Sequence, residues 1–177
     1  MKMSGWRAVV SLAGILVFCR STGVLADVPI TVTGTVVEPA CSVVDANGND
    51  QTEVDFGVIP LEKVGTARAQ QSLRMKVTCD SAAPSGKSLK MFIRPTSAGT
   101  MSYNNRTVLG TTIAGLGIDL MDSSNHPVAP STWEGVGTQV SFPSGDVTLQ
   151  AMLVSPDTSA LTVGDFSATA SVMMSYM

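Results

Sequence analysis

Residues 27–37 alternate without interruption. Val28, Ile30, Val32, Gly34 and Val36 fall on one face of an extended backbone, and Pro29, Thr31, Thr33, Thr35 and Val37 fall on the other. Period two in β-branched residues is a strand signal, not a helix signal. Pro39 then stops it. The other end of the chain repeats the pattern: Phe166, Ala168, Ala170, Val172, Met174 and Tyr176 share one face against Ser167, Thr169, Ser171, Met173 and Ser175. A chain bracketed in this way folds as sheet. Further strand candidates lie between the two ends, at residues 41–44, 53–59, 73–79, 89–94, 112–121, 138–142 and 146–154, and the last strand is expected over 165–176. Gly115 and Gly117 suggest a bulge within 112–121. Turn-forming clusters separate the candidates at 45–50, with its Asn47-Gly48 pair, and at 81–86, 96–105 and 122–137. Only residues 61–69 offer a helical turn, and no internal repeat is present. Many short strands at this spacing describe an all-β sandwich.

Residues 1–26 read as an export signal. Lys2 and Arg7 give a positive start, residues 8–18 an apolar run of eleven, and Val24-Leu25-Ala26 a cleavage site before Asp27. The run is too short for the roughly 20 residues that span a bilayer, which disfavours a membrane anchor. Cys19 follows Phe18 rather than the small residue a lipid-modified cysteine requires, so it is expected to leave with the signal. Without Lys2, Arg7 and Arg20, eight basic residues face fourteen acidic ones, a formal charge of −6. Such a chain repels nucleic acid and anionic lipid. Two cysteines remain, Cys41 and Cys79. In an exported chain such a pair is expected to form a disulfide. Closing the 38-residue separation stabilises the fold by roughly 4 kcal/mol. The alternative, a reactive or metal-binding thiol pair, has no histidine or acid at suitable spacing.

Little in the sequence carries catalytic chemistry. The single histidine, His126, precedes Pro127 in a turn-like run and excludes multi-histidine metal sites. Asp119 and Asp122 are spaced to lie on opposite faces of a strand. No nucleophile motif, phosphate loop or metal cluster is present, so no enzymatic activity, cofactor or metal is expected. Trp133, Tyr103 and the loop 123–137 offer a possible sugar platform, against the plainer reading of Trp133 as a loop anchor in the core.

Taken together, the two ends resemble the pilin subunits assembled by the chaperone–usher pathway of Gram-negative bacteria. The stretch DVPITVTGTVVEPACSV is similar to a pilin N-terminal extension, with apolar alternation around a central glycine and a cysteine close behind. Cys79 supplies the second cysteine. Gly164 is the fourteenth residue from the C-terminus, and Tyr176 is the penultimate one.

The resemblance implies an incomplete immunoglobulin-like β-sandwich that lacks its final strand. It divides the chain into a signal (1–26), an N-terminal donor-strand extension (27–39) and a pilin domain (40–177). Val28, Ile30, Val32 and Val36 become donor side chains for a neighbouring subunit, with Gly34 where the acceptor has no room. Gly164, Phe166, Ala168, Ala170, Val172, Met174, Tyr176 and Met177 become the groove edge that a periplasmic chaperone strand pairs with first, and the Met177 carboxylate is its anchor. Neighbouring pilins, the chaperone and an outer-membrane usher are the implied partners. Export to the periplasm and assembly on the cell surface is the implied route, in a fimbria that contributes to adhesion. The extension argues against a tip adhesin and looks more like a minor, adaptor-type subunit. A major rod pilin, or a carbohydrate- or receptor-binding subunit, is the alternative. No host receptor is identified.

Overall fold

Alternation becomes strand where a partner exists to take the hydrogen bonds. In the computed structural model, which describes residues 41–135 and 144–177, nine strands form among the described residues. They are β1 (Cys41–Asp45), β2 (Gln70–Cys79), β3 (Leu89–Pro95), β4 (Thr100–Tyr103), β5 (Arg106–Gly110), β6 (Gly117–Asp122), β7 (Trp133–Gly135), β8 (Ser144–Val154) and β9 (Ala170–Tyr176). One sheet has the order β1-β2-β8-β6-β5-β4 and the other β7-β3-β9. Every pairing is antiparallel.

The longest strands carry the core. On β2, Met75, Val77 and Cys79 point inward and are buried, while Arg74, Lys76 and Thr78 face out. On β8 the inward residues are Val147, Leu149, Ala151 and Leu153. The three-stranded sheet answers with Met91 and Ile93 of β3 and Tyr176 of β9. Cys41 and Cys79 stand opposite each other on β1 and β2 and are disulfide-bonded, as expected. The helical tendency at 61–69 resolves into two single 3-10 turns, Leu61–Lys63 and Ala67–Ala69.

Several expectations require correction. Residues 112–116 are a tight turn, not strand: Gly115 has φ +81, and the Thr111 hydroxyl donates to the Leu116 carbonyl at 2.9 Å while accepting from the Ile113 amide. Strand begins only at Gly117. The loops at 96–105 and 122–137 hide β4 and β7. β4 and β5 form a hairpin across Asn104 and Asn105, both at positive φ, the geometry of a two-residue turn that suits asparagine. The segment 53–59 forms no strand, and the strand expected over 165–176 starts only at Ala170. The candidates at 27–37 and 138–142 lie outside the described residues.

Candidate functional site: a groove between two unpaired walls

The two failed strands are the two walls of one groove. One wall is residues 52–60 and the other residues 161–172, and the groove between them has a volume of about 940 Å³. Its floor draws on both sheets: Leu73 of β2, Ile93 of β3, Leu109 of β5, Ile118 and Leu120 of β6, and Ala151 and Leu153 of β8. These are core residues of a sandwich, reached from outside. Leu73 shows the consequence: it shares a face with buried Met75 and Val77 yet is only half-buried.

The first wall still obeys period two. Val54 is half-buried and Phe56 is buried, both packed on the core. At Gly57 the backbone turns, with φ +61, and the Gly57 amide donates to the Asp55 carboxylate at 2.7 Å. Val58 is thereby thrown outward and is 98% exposed.

The second wall is tied down on one side only. The Thr112 amide donates to the Ser167 carbonyl at 3.0 Å, and the Ser167 amide donates to the Thr112 hydroxyl. The Thr96 amide donates to the Thr169 carbonyl at 2.9 Å. Alternate backbone groups of an extended chain point to opposite sides. Those of Phe166 and Ala168 therefore face away from these loops, and they have no hydrogen-bond partner among the described residues. The same edge continues along β9, which pairs with β3 on one side and, among the described residues, has no strand on the other. An unpaired edge beside exposed core side chains is a template for an added strand. The rings of Phe56 and Phe166 meet across the groove with centroids 6.0 Å apart.

The C-terminal residues singled out in the sequence lie where the alternation places them. Phe166, Ala168, Val172 and Met174 pack on the core, and Tyr176 is buried with its hydroxyl donating to the Ser81 carbonyl at 3.2 Å. Ala170 lines the groove and remains exposed. Met177 is held by reciprocal backbone hydrogen bonds with Ser88, at 2.9 Å each. Gly164 has φ +153, a backbone that side chains rarely adopt, and a Cβ there would meet nothing within 4 Å. Its glycine is thus a matter of backbone, not space. Val28, Ile30, Val32, Gly34 and Val36 lie outside the described residues.

What sequence reasoning missed is the 52–60 wall. Its alternation was visible, but a strand needs a neighbour and periodicity does not reveal whether one exists. The other singled-out residues sit elsewhere. Trp133 is on the edge strand β7 and 37% exposed, a correction to its reading as a core anchor. His126 is in an exposed turn whose amide donates to Asp122. Asp119 pairs with Arg106 at 2.7 Å on the far side of the larger sheet from the core.

Comparison with known proteins decides the family. The model of the family described as "Fimbrial protein" matches residues 30–177. The chain belongs to the fimbrial protein family. Among curated relatives of this fimbrial subunit are the minor fimbrial protein PrsF and the fimbrial adapter PapF, both of Escherichia coli. Each is 29% identical over 168 residues, covering 92% of this chain and 95% of the relative. Among solved structures, the P pilus rod subunit PapA superposes with a TM-score of 0.60 at 17% identity, over 78% of this chain and 99% of that one. A subunit of a chaperone–usher pilus superposes with a TM-score of 0.58 at 18% identity, over 86% of this chain and 97% of that one. The fold is therefore the immunoglobulin-like sandwich of pilus subunits, and the molecule is a structural component of a fimbria.

Proposed function

We propose that this fimbrial subunit polymerises by donor-strand exchange in a chaperone–usher pilus, as an adaptor-type minor subunit. The observation that carries the proposal is the groove, with two extended walls and a floor of core residues. It has room along its length for a single strand: the nine residues 52–60 line one side of it. The alternating segment from Val28 to Val36 is also nine residues long. It supplies an apolar side chain at every second position except Gly34.

The segment 27–39 is then the donor to the next subunit's groove. Burying a valine or isoleucine is worth about 1.5–3 kcal/mol, so Val28, Ile30, Val32 and Val36 together contribute roughly 6–12 kcal/mol before ordering costs. Ladder hydrogen bonds to the bare edge at Phe166, Ala168 and β9 add to this. Before assembly a periplasmic chaperone strand occupies the groove, pairing along Gly164 to Tyr176 with the Met177 carboxylate as its anchor. The usher is where the exchange takes place. Residues 1–26 direct export and are removed. The adaptor position is supported by the likeness to PrsF and PapF.

Gly34→Arg tests the donor role apart from the acceptor role. The variant is expected to accumulate with its chaperone in the periplasm and to be absent from sheared surface fibres, where the wild-type chain is found. Normal incorporation of the variant would refute the donor assignment.

A further inference from the structure

The outer face of the three-stranded sheet carries a row that the groove does not use. Met91 and Ile93 turn into the core, so Lys90, Phe92 and Arg94 of β3 face out. Across the sheet Phe92 stands opposite Trp133 of β7 on one side and Met173 of β9 on the other. The Phe92 and Trp133 ring centroids are 5.1 Å apart. An apolar row Trp133–Phe92–Met173 thus crosses three strands at right angles, roughly 10 Å from end to end.

Lys90 and Arg94 bracket this row along β3. Four residues of strand separate them by roughly 13 Å. Their cross-strand neighbours are Gly135 and Ser175 for Lys90 and Ser171 for Arg94. Neither cation has an acidic partner among the described residues. On a chain of net charge −3, the described residues of this face carry two basic side chains and no acidic one. The two rings are tilted by 50°, so they form a ridge with a cleft rather than the flat platform on which a sugar ring stacks.

We propose that this face docks an acidic polypeptide segment of another protein. The segment would present an apolar side chain to the Trp133–Phe92–Met173 row and carboxylates on either side, about 13 Å apart, to Lys90 and Arg94. An extended strand with acids at positions i and i+4 and an apolar residue at i+2 meets this requirement. The partner approaches the outer sheet face, so docking is compatible with a strand in the groove.

Trp133 reports the event directly, because it is the lone tryptophan from Asp27 onward. The exported chain is titrated with a capped Glu-Thr-Val-Thr-Glu peptide while its fluorescence is followed. A saturating amount of a peptide of residues 27–39 is present throughout to keep the groove unavailable. The expected result is a saturable change, weakened at least fivefold by Lys90→Glu with Arg94→Glu, by the neutral Gln-Thr-Val-Thr-Gln peptide, and by raising salt from 50 to 500 mM. Circular dichroism of the double variant checks that its fold is retained. Equal response to the neutral peptide, or no effect of the charge reversals, overturns the proposal. So does a response to a sialylated glycan in place of the peptide. If the groove reading alone were wrong, the added 27–39 peptide would be a bystander, and the comparison between wild type and charge variant would still read the sheet face.

Discussion

At the residue scale, the ion pair between buried Asp119 and half-buried Arg106 is the most exacting feature. Asp119 is 2% exposed on β6, and Arg106 donates to it at 2.7 Å from β5. Burial pushes the Asp119 carboxyl above the usual carboxylate range, and Arg106 only partly offsets this. The sign follows from linkage. The folded state holds this proton more tightly than the unfolded chain, so the contribution of Asp119 is greatest below about pH 3.9 and falls as pH rises through the raised value. Asp122 works in the opposite direction. Burial raises it, but amides of His126 and Ser124 donate to it, and the net result lies below the usual range. Its contribution is present above about pH 3.9 and lost on acidification. Arg106→Met is expected to cost about 1–3 kcal/mol at neutral pH by stranding a buried charge. Adding Asp119→Asn to that variant should recover part of the loss, and Asp119→Asn alone should remove the fall in stability with rising pH. Denaturant midpoints from pH 3 to 7 check all three. None of this is legible in the sequence, where Arg106 only follows the turn-rich run 96–105 and Asp119 is placed only by its spacing from Asp122. Their contact depends on β5 pairing with β6, and the Asn104-Asn105 turn that creates β5 lacks the glycine of the more familiar hairpin signal.

At the scale of elements, a sequence pattern becomes a strand where it has a partner in the fold. β2, β3 and β8 were readable because each alternates and each lies between two neighbours. Segments 53–59 and 165–169 alternate just as clearly, yet neither closes a ladder. Val54 and Phe56 turn inward on one wall, and Phe166 and Ala168 on the other, with the groove between them. The mismatch between pattern and pairing therefore marks the site itself. It predicts a specific hydrogen-exchange result. Amides of Phe166 and Ala168 should exchange within seconds in the unoccupied subunit, and at least a hundredfold more slowly once a strand fills the groove. Amides of Val77 and Leu149 should be protected in both states. Unchanged exchange at Phe166 and Ala168 on complex formation would show that the added chain binds elsewhere.

At the scale of the whole molecule, the fold is a sandwich whose core reaches solvent along one side. The disulfide ties β1 to β2 at the edge of the larger sheet, and the floor of the groove is apolar. The β-rich fold, the Cys41–Cys79 disulfide and the inward face of residues 166–176 were readable from short alternating strands and a pair of cysteines in an exported chain. The opposite wall was not, because an absent neighbour leaves no trace in local periodicity. The central claim is that this sandwich is completed by a borrowed strand. The most direct measurement is thermal unfolding of the purified subunit with and without a synthetic peptide of residues 27–39. The account predicts a discrete complex whose melting temperature exceeds that of the free subunit by more than 20 °C, with no such shift from a peptide carrying Gly34→Arg. An unoccupied subunit that melts as cooperatively and as high as the mixture would contradict it.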